Sequence, residues 1–212
     1  MYTTILFDLD GTLTDPYLGI TNSIMYALDK LGRDIPPREE LLSFIGPPLY
    51  DEFRRKFGMD DAEAKEAVRL YREYYPEKGL YENAVIDGAE QLLAVLKIRG
   101  KKVCLATSKP EPYAREILRY FGLMNYFDFV GAAQLDGSVS TKTEVLRYVL
   151  KGTGVKAEDC LLVGDRMHDI EGAHEVGMKC VGFLAGYGSR EELEEHGADH
   201  LAETLSDVLK FV

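Results

Sequence analysis

Short apolar runs alternating with stretches of helical periodicity restrict this chain more than any other feature. Five runs read as strands: Thr4–Phe7, Val103–Ala106, Phe129–Val130, Leu161–Val163 and Lys179–Gly182. The first and fourth are continuous, the pattern of strands covered on both faces. Between the later runs, apolar residues recur at helical spacing. Asp87 is placed to cap a helix carrying Leu92, Leu93 and Leu96, which Gly100 ends. Tyr113, Ile117 and Phe121 share a second helical face. Thr141-Lys142-Thr143-Glu144 has the form of a capping box opening a third helix, and Ser189 to Glu192 repeats it. Strand–helix alternation of this kind predicts an α/β fold, a doubly wound parallel sheet with right-handed crossovers.

Residues from about Pro16 to Asn83 break the alternation. Ile24, Met25, Leu28 and Leu31 form one helical stripe; Leu49, Phe53 and Phe57 form another; Val68, Tyr71 and Tyr75 a third. The expected organisation is therefore a core domain of residues 1–15 and 84–212, with a small all-helical domain, 16–83, inserted after strand one. A length of 212 residues suits one domain with an insert better than two full domains. The insert's tyrosines read mainly as packing for its helices.

Composition removes several function classes. Hydrophobic residues at 46% permit a buried core, and a net charge of −11 argues against a nucleic-acid footprint, which needs a basic face. No run approaches the roughly 20 apolar residues that span a bilayer. The N-terminus lacks the basic and apolar regions of a signal peptide, so the expected setting is cytoplasmic. Cys104, Cys160 and Cys180 lie in or beside apolar runs without CxxC spacing and read as reduced, buried side chains.

The chemistry concentrates at strand ends. In Phe7-Asp8-Leu9-Asp10-Gly11-Thr12, two aspartates at i and i+2 follow a buried strand. Carboxylates there need compensation, and in open α/β sheets the carboxyl ends of strands form the ligand crevice. In Leu162-Val163-Gly164-Asp165-Arg166-Met167-His168-Asp169 a second buried strand ends in Gly-Asp, with another aspartate one turn on. Alone, that pattern is equally an ordinary turn whose aspartate caps the next helix. Beside Asp8 and Asp10 it gains meaning, because four neighbouring carboxylates repel strongly at low dielectric. A hard divalent cation resolves the conflict, and Mg²⁺ suits carboxylates, waters and a substrate phosphate. Thr107 and Ser108 close the second strand, and Lys142 opens a helix, where backbone N–H groups also favour an anion.

Over nearly its whole length, and in the order Asp8-x-Asp10, Thr107 or Ser108, Lys142, Asp165 with Asp169, the chain resembles the haloacid dehalogenase superfamily in its phosphatase branch. Thr107-Ser108-Lys109-Pro110 and Gly186-Tyr187-Gly188 are similar to phosphoglycolate phosphatases and related bacterial 5′-nucleotidases. The resemblance implies a Rossmann-like core with a helical cap. It also implies a Mg²⁺-dependent phosphomonoester hydrolase acting on a small phosphorylated metabolite, phosphoglycolate phosphatase-like, as a monomer or homodimer. A 5′-nucleotidase and a phosphoglucomutase-like isomerase are the alternatives. Asp8 is then the nucleophile and Asp10 the acid–base. The metal falls to Asp8, the Asp10 backbone carbonyl, Asp165 and Asp169, and the phosphate to Thr107, Ser108 and Lys142. Lys109-Pro110-Glu111-Pro112 mimics the family's lysine motif, but it follows strand two directly and reads as an extension of the second motif. In the cap, the loop Ile45-Gly46-Pro47-Pro48, followed by Arg54, is the expected substrate-facing segment.

Overall fold

In the computed structural model, which describes residues 2–212, the apolar runs become strands of one six-stranded sheet. These are β1 (Thr4–Phe7), β4 (Lys102–Pro110), β5 (Phe129–Ala133), β6 (Cys160–Gly164), β7 (Lys179–Phe183) and β8 (His200–Ala202), in the order β5-β4-β1-β6-β7-β8. Every neighbouring pair runs parallel. β1 sits centrally, pairing Thr4 to Phe7 with Lys102 to Leu105 on one side and Cys160 to Val163 on the other. Flanked on both edges and covered on both faces, β1 and β6 bury every residue, as their unbroken apolar runs require. The strand order reverses at β1, so the carboxyl ends of β1, β4 and β6 lie side by side at a topological switch point.

The helices of this unit are α4 (Ala89–Ile98), α5 (Glu111–Tyr120), α6 (Lys142–Thr153), α7 (Met167–Glu175) and α8 (Arg190–Glu195). Val145, Leu146 and Val149 of α6 and Ile170 and Ala173 of α7 pack against Leu6, Cys104, Leu162 and Cys180 from the sheet. Each aliphatic side chain so buried contributes roughly 1.5–3 kcal/mol. All three cysteines are free and buried; burial pushes the Cys104 thiol up to about 12 and the Cys160 thiol up to about 11, so both stay protonated.

Several local expectations change. The capping box of α6 is complete: Thr141 Oγ1 accepts from Glu144 N, and the Glu144 side chain accepts from Thr141 N. α4 instead starts at Gly88, with no side-chain cap from Asp87. At α8 only half the box forms. Ser189 accepts from Glu192 N, but the Glu192 carboxylate accepts from Met167 N (2.8 Å) and Arg166 Nε (3.0 Å), serving the neighbouring loop. The short strand β8 was not foreseen, because three residues are too few to show a period.

The chain divides into two compact units, one comprising the sequence up to Asp15 with Val85–Val212, the other Pro16–Ala84. Two-residue strands β2 (Thr14–Asp15) and β3 (Ala84–Val85) pair where the chain leaves and re-enters the sheet unit, and they too escaped the sequence pattern. The second unit is helical: α1 (Tyr17–Lys30), a 3₁₀ segment Arg38–Phe44, α2 (Leu49–Phe57), α3 (Asp61–Tyr74) and a π turn Tyr75–Gly79. Its core gathers Ile24, Leu28, Leu41, Phe44, Phe53, Tyr71 and Tyr75. Phe44 and Phe53 meet edge to face, and Tyr71 stacks on Tyr75.

Candidate active site

β1 ends at Phe7, and the backbone turns at once. Leu13 and Thr14 N–H groups donate to Leu9 O at 2.9 Å, and Gly11 N donates to Thr14 O at 2.7 Å. The turn brings both motif aspartates to the carboxyl edge, Asp8 buried and Asp10 nearly so. Next door, β6 runs out at Gly164. Asp165 follows, and α7 begins after Arg166, its N-cap. Asp165 is therefore not a helix cap, which removes the bland reading of that motif. Asp169 lies one turn on, and its Oδ2 accepts from Arg166 N at 3.1 Å. The glycine before this turn is a spatial requirement, since a Cβ on Gly164 would sit 2.2 Å from Asp169 Cγ.

Asp8, Asp165 and Asp169 converge: one carboxylate oxygen from each lies within 4.8 Å of the others. Lys142, from the first turn of α6, closes one side. Its Nζ donates to Asp8 Oδ1 (2.8 Å) and Ala106 O (2.7 Å), and it lies 2.7 Å from Asp169 Oδ1. Asp165 is fully buried and held by neutral donors alone, Thr12 Oγ1 to Oδ1 at 3.0 Å and Tyr187 N to Oδ2 at 2.8 Å. Among the described residues no lysine or arginine pairs with it.

Electrostatics follow from this arrangement. Burial pushes the Asp165 carboxyl well above the usual range, and Asp169 and Asp8 push it further. Burial raises Asp169 as well, against the pull of Lys142. Burial alone would lower the Lys142 ammonium, but Asp169 and Asp8 outweigh it and hold the group above its ordinary value. Three carboxylates against one ammonium leave two negative charges uncompensated when all are ionised. An all-oxygen donor set with that deficit fits a hard divalent cation.

The Asp10 side chain behaves differently. Four acidic side chains were expected around one ion; three converge, and the Asp10 carboxylate pairs instead with Lys109, Nζ to Oδ2 at 2.5 Å. Burial raises the Asp10 carboxyl and Lys109 draws it back down. Lys109 reaches the site through an irregularity in β4. Thr107 pairs with Ala132 and Pro110 with Ala133, so Ser108 and Lys109 bulge out of the ladder between them. Thr107 is buried, and its Oγ1 accepts from Lys109 N at 3.2 Å; Ser108 is half-buried.

Two further residues were absent from the expected set. Thr12 stood within the quoted Asp8–Thr12 motif, so its position was the available signal. Tyr187 belongs to Gly186-Tyr187-Gly188, whose glycines fit closely, since a Cβ on Gly186 would lie 2.3 Å from Asp165 Cβ. The Tyr187 hydroxyl donates to Asp15. In the helical unit Ile45 is buried. Gly46 and Pro48 are exposed and Pro47 half-buried, while exposed Arg54 lies over the Tyr50 ring at 5.6 Å.

The sequence model of a family described as "Haloacid dehalogenase-like hydrolase" matches residues 5–183. A protein of Pseudomonas aeruginosa named 5′-nucleotidase is 47% identical over 205 residues, covering 97% of this chain and 93% of the relative. A Mycobacterium tuberculosis protein named Tyrosine-protein kinase PtkA is 38% identical over 191 residues, 90% of this chain but 65% of the relative, so about a third of that protein has no counterpart here. The crystal structure of a predicted phosphatase from Clostridium acetobutylicum superposes with a TM-score of 0.95 at 39% identity, covering 100% of this chain and 98% of the other. No described helix is long and apolar enough to cross a membrane.

Proposed function

The chain belongs to the haloacid dehalogenase-like hydrolase family, and from that premise we propose that it hydrolyses phosphate monoesters through a phosphorylated Asp8. The observation that carries this reading is the unequal treatment of the two motif aspartates. Asp8 sits in the acidic triad with Lys142, whereas Asp10 stands apart on its own lysine. Two carboxylates in different surroundings can take different roles, nucleophile and acid–base.

An Asp8 oxygen attacks phosphorus in line as the bond to the leaving oxygen breaks, and Asp10 gives its proton to the departing alkoxide. Asp10 then takes a proton from water as that water attacks phosphorus. The phosphorus–Asp8 bond breaks, and inorganic phosphate leaves with both carboxyl groups restored. Lys142 orients Asp8 and offsets charge on the transferring oxygens, and the Thr107 hydroxyl and the Ser108 loop add hydrogen bonds to them. Asp8, Asp165, Asp169 and the Asp10 carbonyl are the proposed ligands of Mg²⁺, which when bound supplies positive charge against the phosphoryl oxygens.

Nucleoside 5′-monophosphates are the proposed substrates ahead of phosphoglycolate. The relative sharing 47% identity is named 5′-nucleotidase, while two structural neighbours named for phosphoglycolate share only 24% and 21% and speak for the fold alone. Phosphate release across nucleoside 5′-monophosphates, phosphoglycolate and hexose phosphates tests the reading. The expected result is the highest kcat/KM on the nucleotides, lost on chelation and restored by Mg²⁺. No release from any ester, or full activity after exhaustive chelation, would contradict it.

A further inference from the structure

The site holds two buried lysines, and the mechanism above uses one. Lys142 serves Asp8 and Asp169. Lys109 is as deeply buried, its side chain 6% exposed, and its ammonium lies 2.5 Å from Asp10 Oδ2. Burying an ammonium is costly unless it is paired. Nothing in the strand ladder demands a lysine here, because Ser108 and Lys109 have left it. The bulge carries the side chain to Asp10.

From this geometry we propose that Lys109 is the positioning residue for the acid–base carboxylate, anchoring Asp10 Oδ2 so that Oδ1 is presented to the leaving oxygen. Asp10 Oδ1 is buried and accepts no hydrogen bond within the protein, which leaves that atom for the proton transfer. With both oxygens unanchored the carboxylate would turn freely about its terminal torsion, which is broad for aspartate. Anchoring one oxygen fixes the direction of the other. As the phosphorus–oxygen bond breaks, the proton passes from Oδ1 to the leaving alkoxide while Oδ2 stays on Lys109. In the second half-reaction the same oxygen receives the proton of the attacking water. Sequence reading set Lys109 aside as an extension of the strand-two motif; the structure gives it a partner of its own.

The inference rests on the proposed phosphomonoesterase reading, and the leaving group separates the two. A nitrophenyl phosphate expels a stable anion and needs little acid help, whereas a nucleoside 5′-monophosphate expels an alkoxide and needs a proton. Lys109→Met should lower kcat on the nucleotide by about 100-fold, the low end of general acid catalysis, and lower it roughly ten times less on the nitrophenyl ester. Lys109→Arg should recover most of the nucleotide rate. In an Asp10→Asn background, Lys109→Met should cost nothing further on the nucleotide, since the group it positions is gone. If Lys109→Met does not fold, Lys109→Gln, which keeps a donor without the charge, is read by the same ratio of losses. Equal losses on both esters, or a full additional loss beside Asp10→Asn, would overturn the assignment. A wild-type protein that releases phosphate from neither ester would sink the phosphomonoesterase reading itself.

Discussion

The carboxyl edge of the sheet and the surface of helix α3 handle charge in opposite ways. On the surface of the helical unit, ion pairs line α3 at helical spacing. Lys65–Asp61 has side chains 69% and 63% exposed, and Arg69 pairs with Glu66 and Glu73 along α3. Such pairs are screened and add little. At the carboxyl edge of the sheet the pairs are dry: Lys142 is 5% exposed and Asp169 2%. Burying those ions costs several kcal/mol each before their attraction is counted. A fold that needed only stability would fill these positions with apolar side chains, so the difference marks where stability has been traded for chemistry.

That contrast can be broken in several ways. Asp8→Asn should reduce turnover by at least about 10⁴-fold, the scale on which losing a nucleophile acts, with near-UV circular dichroism unchanged; steady-state rates near wild type would defeat the assignment. Asp10→Asn should lower kcat on alkyl phosphates by about 10²–10⁴-fold and leave Mg²⁺ affinity by calorimetry unaltered, since its side chain lies outside the triad; a large loss of affinity would return it to the metal set.

Metal and pH sharpen the contrast next. Asp165 is held above its ordinary value of 3.8, so in the metal-free protein the folded state binds a proton there that the unfolded chain has released. Stability of that form must fall as pH rises upward from about 4. Mg²⁺ needs the ionised carboxylates, so its stabilising effect must grow over the same window. Saturation at about 100 times Kd is worth about 2.7 kcal/mol. Thermal shifts with and without Mg²⁺ should therefore be larger at pH 8 than at pH 5, and a shift that shrinks as pH rises would contradict the site.

Smaller effects complete the comparison. Thr141→Ala removes the cap of the helix that carries Lys142 and should cost about 1 kcal/mol in denaturant unfolding; no change would show that the capping box does not matter there. Arg69→Ala, on the surface of α3, should leave Tm unmoved within error. A drop of several degrees would erase the distinction between the two regions.

What the sequence revealed follows the same division. β1 and β6 were legible because strands buried on both faces leave unbroken apolar runs. Asp8, Asp165, Asp169 and Lys142 could be placed together because each sits at a strand end or helix start, where topology fixes location. The partition of the aspartates was not legible. It depends on the bulge after Thr107, which follows no period, and it turns Lys109 toward Asp10. Tyr187 acts on Asp165 through its backbone N–H, a contact that no residue type announces.

The most direct test is to catch the phosphorylated side chain. Rapid acid quench during turnover of a nucleoside 5′-monophosphate, borohydride reduction of the acyl phosphate and peptide mass spectrometry would locate it. Homoserine at position 8 alone is the expected result. Steady turnover with position 8 unmodified, or with the label on another residue, would contradict it.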